Sequence, residues 1–138
     1  MTKKLIIGVI GSKKIGPWII PQKIQNLICH DAISDSKEKI SFISTEYVQS
    51  SGIPSLLGYI KKNKKKIKKI IFVSIFQLGE KESEISENLN KIKKYDCYFY
   101  LEDQKTKNLT LKSFKYYIKE LLRMKYYPFK KFGYKTKI

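Results

Sequence analysis

The side chains best suited to chemistry stand at the ends of apolar runs. Gly11, Ser12 and Lys13 follow Leu5–Ile10, and Thr45, Glu46 and Tyr47 follow a run built on Ile40, Phe42 and Ile43. Ser74 and Gln77 interrupt the end of Ile70–Phe76, and Glu102 and Asp103 come directly after Asp96–Leu101. Glu46 and Glu102 are of the type that acts as general base, nucleophile or ligand to sugar hydroxyls. The same carboxylates also serve as helix caps or solvated loop charges. Ser12 beside Lys13 fits either an activated nucleophile or a helix-capping pair. The Gly11–Lys13 turn runs toward a helix opening at Pro21, which makes a candidate anion cradle, because a helix N-terminus presents unpaired N–H groups. It is not a P-loop or a dinucleotide fingerprint, since neither glycine spacing is present.

Gln25, Asn26 and Gln77 are amides able to hold hydroxyl groups, with Ser74 and Asp103 as further ligands. Trp18 and Tyr47 suit stacking on a sugar face or, equally, packing in a core. His30 is the single histidine and falls within a helical stretch, and Cys29 and Cys97 match no metal-ligand spacing, so no metal site is expected. No motif calls for a cofactor.

These positions converge only if alternating strands and helices carry them to one edge. Lys4–Ile10 is almost continuously apolar, as a strand buried on both faces of a parallel sheet must be. Ile24, Leu27 and Ile28 then give a helix its apolar stripe after Pro21. Lys39–Ser44 is expected as the second strand, and Pro54 opens a second helix with Leu56, Leu57, Ile60 and Ile67 on one face, its exposed end covered by the lysine run Lys61–Lys69. Ile70–Phe76 is the third strand, Glu80–Tyr95 the third helix and Asp96–Leu101 the fourth strand. Leu109–Met124 has the spacing of a last helix. The expected fold is therefore α/β: a flavodoxin-like or Rossmann-like three-layer sandwich with a four-stranded parallel sheet in order 2-1-3-4. Residues 1–125 form one domain, and 126–138 are a basic tail in which lysines alternate with aromatics.

In such a sheet ligands bind beyond the carboxyl ends of the strands, near the switch in strand order. All the candidate residues above map to that edge.

The 138-residue chain carries 29 Lys+Arg against 12 Asp+Glu, a net charge of +17, yet Arg123 is its one arginine. Proteins that grip phosphate closely use arginine forks as well as lysines. Dense lysine alone still gives non-specific affinity for polyanions. Leu5–Ile10 is too short for a signal peptide and Ile70–Phe76 too short to span a bilayer, so a cytoplasmic protein with reduced thiols is expected.

Five short motifs in order resemble the sporadic carbohydrate cluster protein family of bacterial surface-polysaccharide gene clusters. They are Gly8-Val-Ile-Gly-Ser12-Lys13, Ile20-Pro21 with Gln25-Asn26-Leu27, Thr45-Glu46-Tyr47, Ser74-Ile-Phe-Gln-Leu78, and Phe99-Tyr-Leu-Glu102-Asp103. The resemblance spans roughly residues 5 to 105. The family pattern has arginine where Lys13 stands, arginine or a similar residue at His30, and proline at Gly79. Lysine at the first position keeps the charge but loses the bidentate fork. No chemistry is attached to these motifs.

The resemblance implies a carbohydrate-pathway protein that binds, with or without transforming, a sugar phosphate or nucleotide sugar. In that reading Lys13 and the first helix hold an anion, Gln25 and Gln77 hold hydroxyls, and Glu46 or Glu102 does acid–base work. The alternative is a nucleic-acid-binding or tethering protein, whose lysine-aromatic tail meets a polyanion, an anionic membrane or a glycosyltransferase. A serine just after the first strand also resembles serine recombinases, but their chemistry needs several arginines around the phosphate.

Overall fold

In the computed structural model the described residues are 4–12, 14–15, 19–47, 52–63, 66–106 and 119. Apart from Lys119, the expected last helix lies outside them, as do the tail, Lys13 and Trp18.

The apolar run at the start becomes β1 (Leu5–Gly11), buried along its length from Ile6 onward. It is an inner strand, second from one edge, of a five-stranded mixed sheet. β2 (Phe42–Glu46) pairs with it in parallel on one side and β3 (Ile67–Phe72) on the other. β4 (Asp96–Phe99) runs parallel to β3, and the two-residue β5 (Gln104–Lys105) returns antiparallel, giving the order β2-β1-β3-β4-β5. Three helices link the strands: α1 (Gln22–Ala32), α2 (Pro54–Asn63) and α3 (Glu82–Ile92). The α/β class and the parallel arrangement of four strands therefore follow the sequence pattern, and β5 is an addition. Two residues hold no periodicity for a reader to find; the reversal is made by Asp103, in the left-handed region at φ 51°.

β2 begins later than the apolar pattern suggests, at Phe42. Ile67, expected on the second helix, instead opens β3: α2 ends at Asn63, and Lys68 and Lys69 join the strand with both ammonium groups on the Glu38 carboxylate. β3 also ends sooner. A 3-10 turn, Ile75–Leu78, replaces the expected end of the strand, capped by the Ser74 hydroxyl, which accepts from Phe76 N–H at 3.2 Å.

The core fills both faces of the sheet with Ile7, Val9, Ile70, Phe72 and Phe99, all fully enclosed. Phe72 and Phe99 stack at 5.0 Å between neighbouring strands. Gly8 permits α1 to lie close: a Cβ there would meet Ile43 Cδ1 at 2.9 Å and Cys29 Cβ at 3.2 Å. Parallel strands fed by returning helices give the molecule two unlike ends. The carboxyl end of the sheet carries the loops after β1, β2, β3 and β4. At the opposite, amino end each helix finishes and the next strand begins.

Candidate functional site

At the switch between β2 and β3 the ladder on β1 stops one bond short. In the register Val9↔Phe72, the next parallel bond would run from Val73 N–H to the Val9 carbonyl. The Gln77 amide stands there instead. Its Oε1 accepts from Val73 N–H at 2.7 Å and Ser74 N–H at 3.2 Å, while its Nε2 donates to the Val9 carbonyl at 2.9 Å. Gln25, wholly buried on α1, does the same one step further along β1. Its Oε1 accepts from Gly11 N–H at 2.8 Å, and its Nε2 donates to the carbonyls of Gly11 at 2.9 Å and Ile20 at 2.7 Å. Both amides therefore complete the backbone hydrogen bonding that buried peptide groups require. Ile10, Gly11, Lys14, Ile15, Glu46 and Gln77 surround the crevice that remains, which has a volume of about 10 Å³, the space of one water.

The two carboxylates are likewise engaged by backbone. Glu46, at the end of β2, is 2% exposed and caps α2: Oε1 accepts from Ser55 N–H at 3.0 Å and Oε2 from Leu56 N–H at 2.9 Å. A negative group at a helix N-terminus is favoured by the helix dipole, and Pro54 suits the first helical position. Glu102 reaches from the β4–β5 turn to the 3-10 turn, accepting from the Ser74 hydroxyl at 2.6 Å and from Ile75 N–H at 2.7 Å. Burial pushes its carboxyl above the usual carboxylate range, and the bonds from Ser74 and Ile75 oppose that rise. Asp103 accepts from the Tyr98 hydroxyl at 2.7 Å and is exposed. Burial, with Asp103 next in effect, raises the Tyr98 phenol to about 12.

The carboxyl edge thus brings Gly11, Gln25, Glu46, Ser74, Gln77 and Glu102 together as the sequence indicates, with their polar atoms turned to the chain's own backbone or to one another. Ser12 is exposed there, its N–H donating to the Glu46 carbonyl at 3.1 Å. Asn26 is half-buried on α1, and its Oδ1 is enclosed with no hydrogen-bond partner among the described residues. His30 lies exposed in the last turn of α1. Among the described residues no three His, Cys, Asp or Glu side chains are grouped to hold a metal ion.

A larger opening lies beside these residues, between the outer edge of β2 and α2. This groove, of about 510 Å³, is lined in part by Phe42, Ser44, Thr45, Tyr47, Tyr59 and Lys62. Phe42 and Tyr59 stack almost parallel, with ring centroids 4.1 Å apart, and Tyr47 is 61% exposed at the carboxyl rim. Pro54, Ser55 and Gly58 complete the helix side. A side chain at Gly58 would meet nothing within 4 Å, so the helix presents a bare patch of backbone to the groove. Of these residues Tyr47 stands out in the sequence as a candidate ligand, with Thr45 in the same motif. The signal for the others is the spacing Ser55, Tyr59, Lys62, which places three polar or aromatic groups on one helical face.

Compared with protein-family models and with curated proteins, the chain matches none. Among the described residues no helix is long and apolar enough to cross a membrane.

Proposed function

We propose that the protein is a carbohydrate-pathway binding protein of bacterial surface-polysaccharide synthesis, built on a flavodoxin-like frame. It takes a sugar phosphate or nucleotide sugar in the groove between β2 and α2. The observation that carries this reading is the lining: aromatic faces at Tyr47, Phe42 and Tyr59, hydroxyls at Thr45 and Ser55, and an ammonium at Lys62. Sugars are bound in this way, their apolar faces on rings and their hydroxyls on a few polar groups. Binding is favoured over transformation because Glu46 and Glu102, the carboxylates nearest that edge, spend their oxygens on backbone N–H groups and the Ser74 hydroxyl. The reading places the protein in the cytoplasm, where Cys29 and Cys97 stay as buried thiols.

The test is thermal stability at physiological salt with nucleotide sugars, sugar phosphates, simple anions and a short oligonucleotide, since a ligand of the native state raises the melting temperature. One sugar class should give a shift, and Tyr47→Ala should weaken it by about tenfold in affinity, about 1.4 kcal/mol. Glu102→Gln should bind as the parent does. A shift confined to the oligonucleotide and abolished by salt would overturn the sugar reading.

A further inference from the structure

Charge is divided unevenly between the two ends of the sheet. Eleven of the sixteen described lysines lie in the segments that close the helices or open β1–β4, at the amino end. Lys61 and Lys62 end α2 and Lys91 ends α3, while Lys39, Lys66 and Lys94 stand just before β2, β3 and β4. Four of the eleven described carboxylates share that end, namely Asp31, Asp35, Glu38 and Asp96. Six carboxylates, from Glu46 to Asp103, belong to the carboxyl end and the first turn of α3.

Local needs do not account for so many cations. Three helix C-termini amount to roughly one and a half negative charges. Glu38 is already held between Lys68 and Lys69, and hydrogen bonds from those two lysines lower its carboxyl to about 2. A surplus of several positive charges is left at one end of the domain. The cations are lysines at the ends of parallel elements, so they spread across a face rather than along a stripe. Among the described residues that face offers no arginine fork, and the exposed aromatics Phe42 and Tyr47 belong to the groove instead. A nucleic acid would be met by forks, stacking rings or a groove for its backbone. A plane of anionic headgroups asks only for a plane of ammonium groups.

We infer that the amino end of the sheet is a docking face for an anionic lipid bilayer, holding the domain with its carboxyl end and the Tyr47 rim turned to solvent. Lys62 belongs both to this end and to the groove, so the experiment leaves it unchanged, and the inference is tested apart from the carbohydrate reading.

The experiment is co-sedimentation of the full chain with vesicles of phosphatidylcholine, alone or mixed with phosphatidylglycerol, at low and high salt. Two variants carry equal changes in net charge: K39E/K61E/K66E at the amino end, and K14E/K23E/K81E elsewhere. All six lysines are exposed, and melting curves like the parent's establish that both variants fold. Lys→Gln versions of both sets repeat the comparison without introducing acid groups. Binding should require phosphatidylglycerol and weaken with salt. It should fall at least about 100-fold in the amino-end variant, at roughly fivefold per lysine removed from the surface, and far less in the other. Equal losses in the two variants would overturn the inference, as would no preference for phosphatidylglycerol. Displacement from the vesicles by a short duplex at lower concentration than soluble phosphatidylglycerol headgroup would assign the face to nucleic acid instead.

Discussion

Gln77→Ala tests whether the amide between β1 and β3 is structural. The substitution leaves the Val73 N–H without a partner and the Val9 carbonyl with only the long, weak contact from the Cys29 thiol, in place of bonds at 2.7 and 2.9 Å, where Val9 and Val73 have no exposed surface. The longer bond from Ser74 N–H, at 3.2 Å, is lost as well. A buried backbone group deprived of its partner costs about 1–3 kcal/mol, so two well-made bonds together are worth about 2–6 kcal/mol. The expected loss, about 4 kcal/mol, is a large share of the roughly 5–15 kcal/mol that holds a domain folded. Urea unfolding should show the midpoint falling with an unchanged slope, since the surface exposed on unfolding is the same. Gln77→Glu sharpens the test. Its protonated carboxyl can accept from Val73 and donate to Val9, whereas its carboxylate faces the Val9 carbonyl with no proton to give. The native state therefore favours the protonated form and raises that carboxyl above its unfolded value, so the variant should be most stable in acid and weaken as the pH rises toward neutrality. A loss below about 1 kcal/mol for Gln77→Ala, with the slope unchanged, would refute the bridging role.

Glu102, raised mainly by burial, binds its proton more tightly in the folded state than in the unfolded. The parent should accordingly lose stability relative to Glu102→Gln as the pH climbs through the folded value, measured by urea midpoints at a series of pH values. Gly8→Ala should cost about 1–3 kcal/mol, because the new methyl presses on Ile43 and Cys29 across the packing between sheet and α1; thermal unfolding reads it directly. Burial lifts the Cys29 thiol to about 11 and Cys97 higher still, so neither should react with a thiol reagent in the native protein. Both should react in full once urea unfolds it, as a colorimetric thiol count will show.

The sheet was open to reading because Leu5–Ile10 and Ile70–Phe72 are continuous apolar runs, which only a strand covered on both sides needs. The end of β3 was harder. Val73–Phe76 stays largely apolar, and the hydrophobic pattern alone extends the strand through it. The competing signal is Ser74 with Gln77 three residues on, the spacing of a capping box, whose reciprocal bonds the structure contains. Gln25, Gln77, Glu46 and Glu102 were recognisable by type and by their convergence on one edge. What each bonds depends on where a ladder stops or a helix starts, which is set by register between strands distant in sequence. The groove was least legible, since Phe42 and Tyr59 come from different elements and meet only when α2 is laid along β2.

The two glutamines give the molecule a latent vacancy. Open α/β sheets generally leave a cleft where the strand order reverses, and here that cleft is filled by amides delivered from α1 and from the turn after β3. The protein is in this sense its own permanent ligand. Trimming either side chain exchanges a fixed internal group for a cavity of matching polarity, lined by the backbone of β1. Formamide or acetamide supplied from solution has the donor and acceptor to take the place of the missing amide and restore part of the lost stability. The same interior that withholds this position from a natural substrate offers it to a designed one.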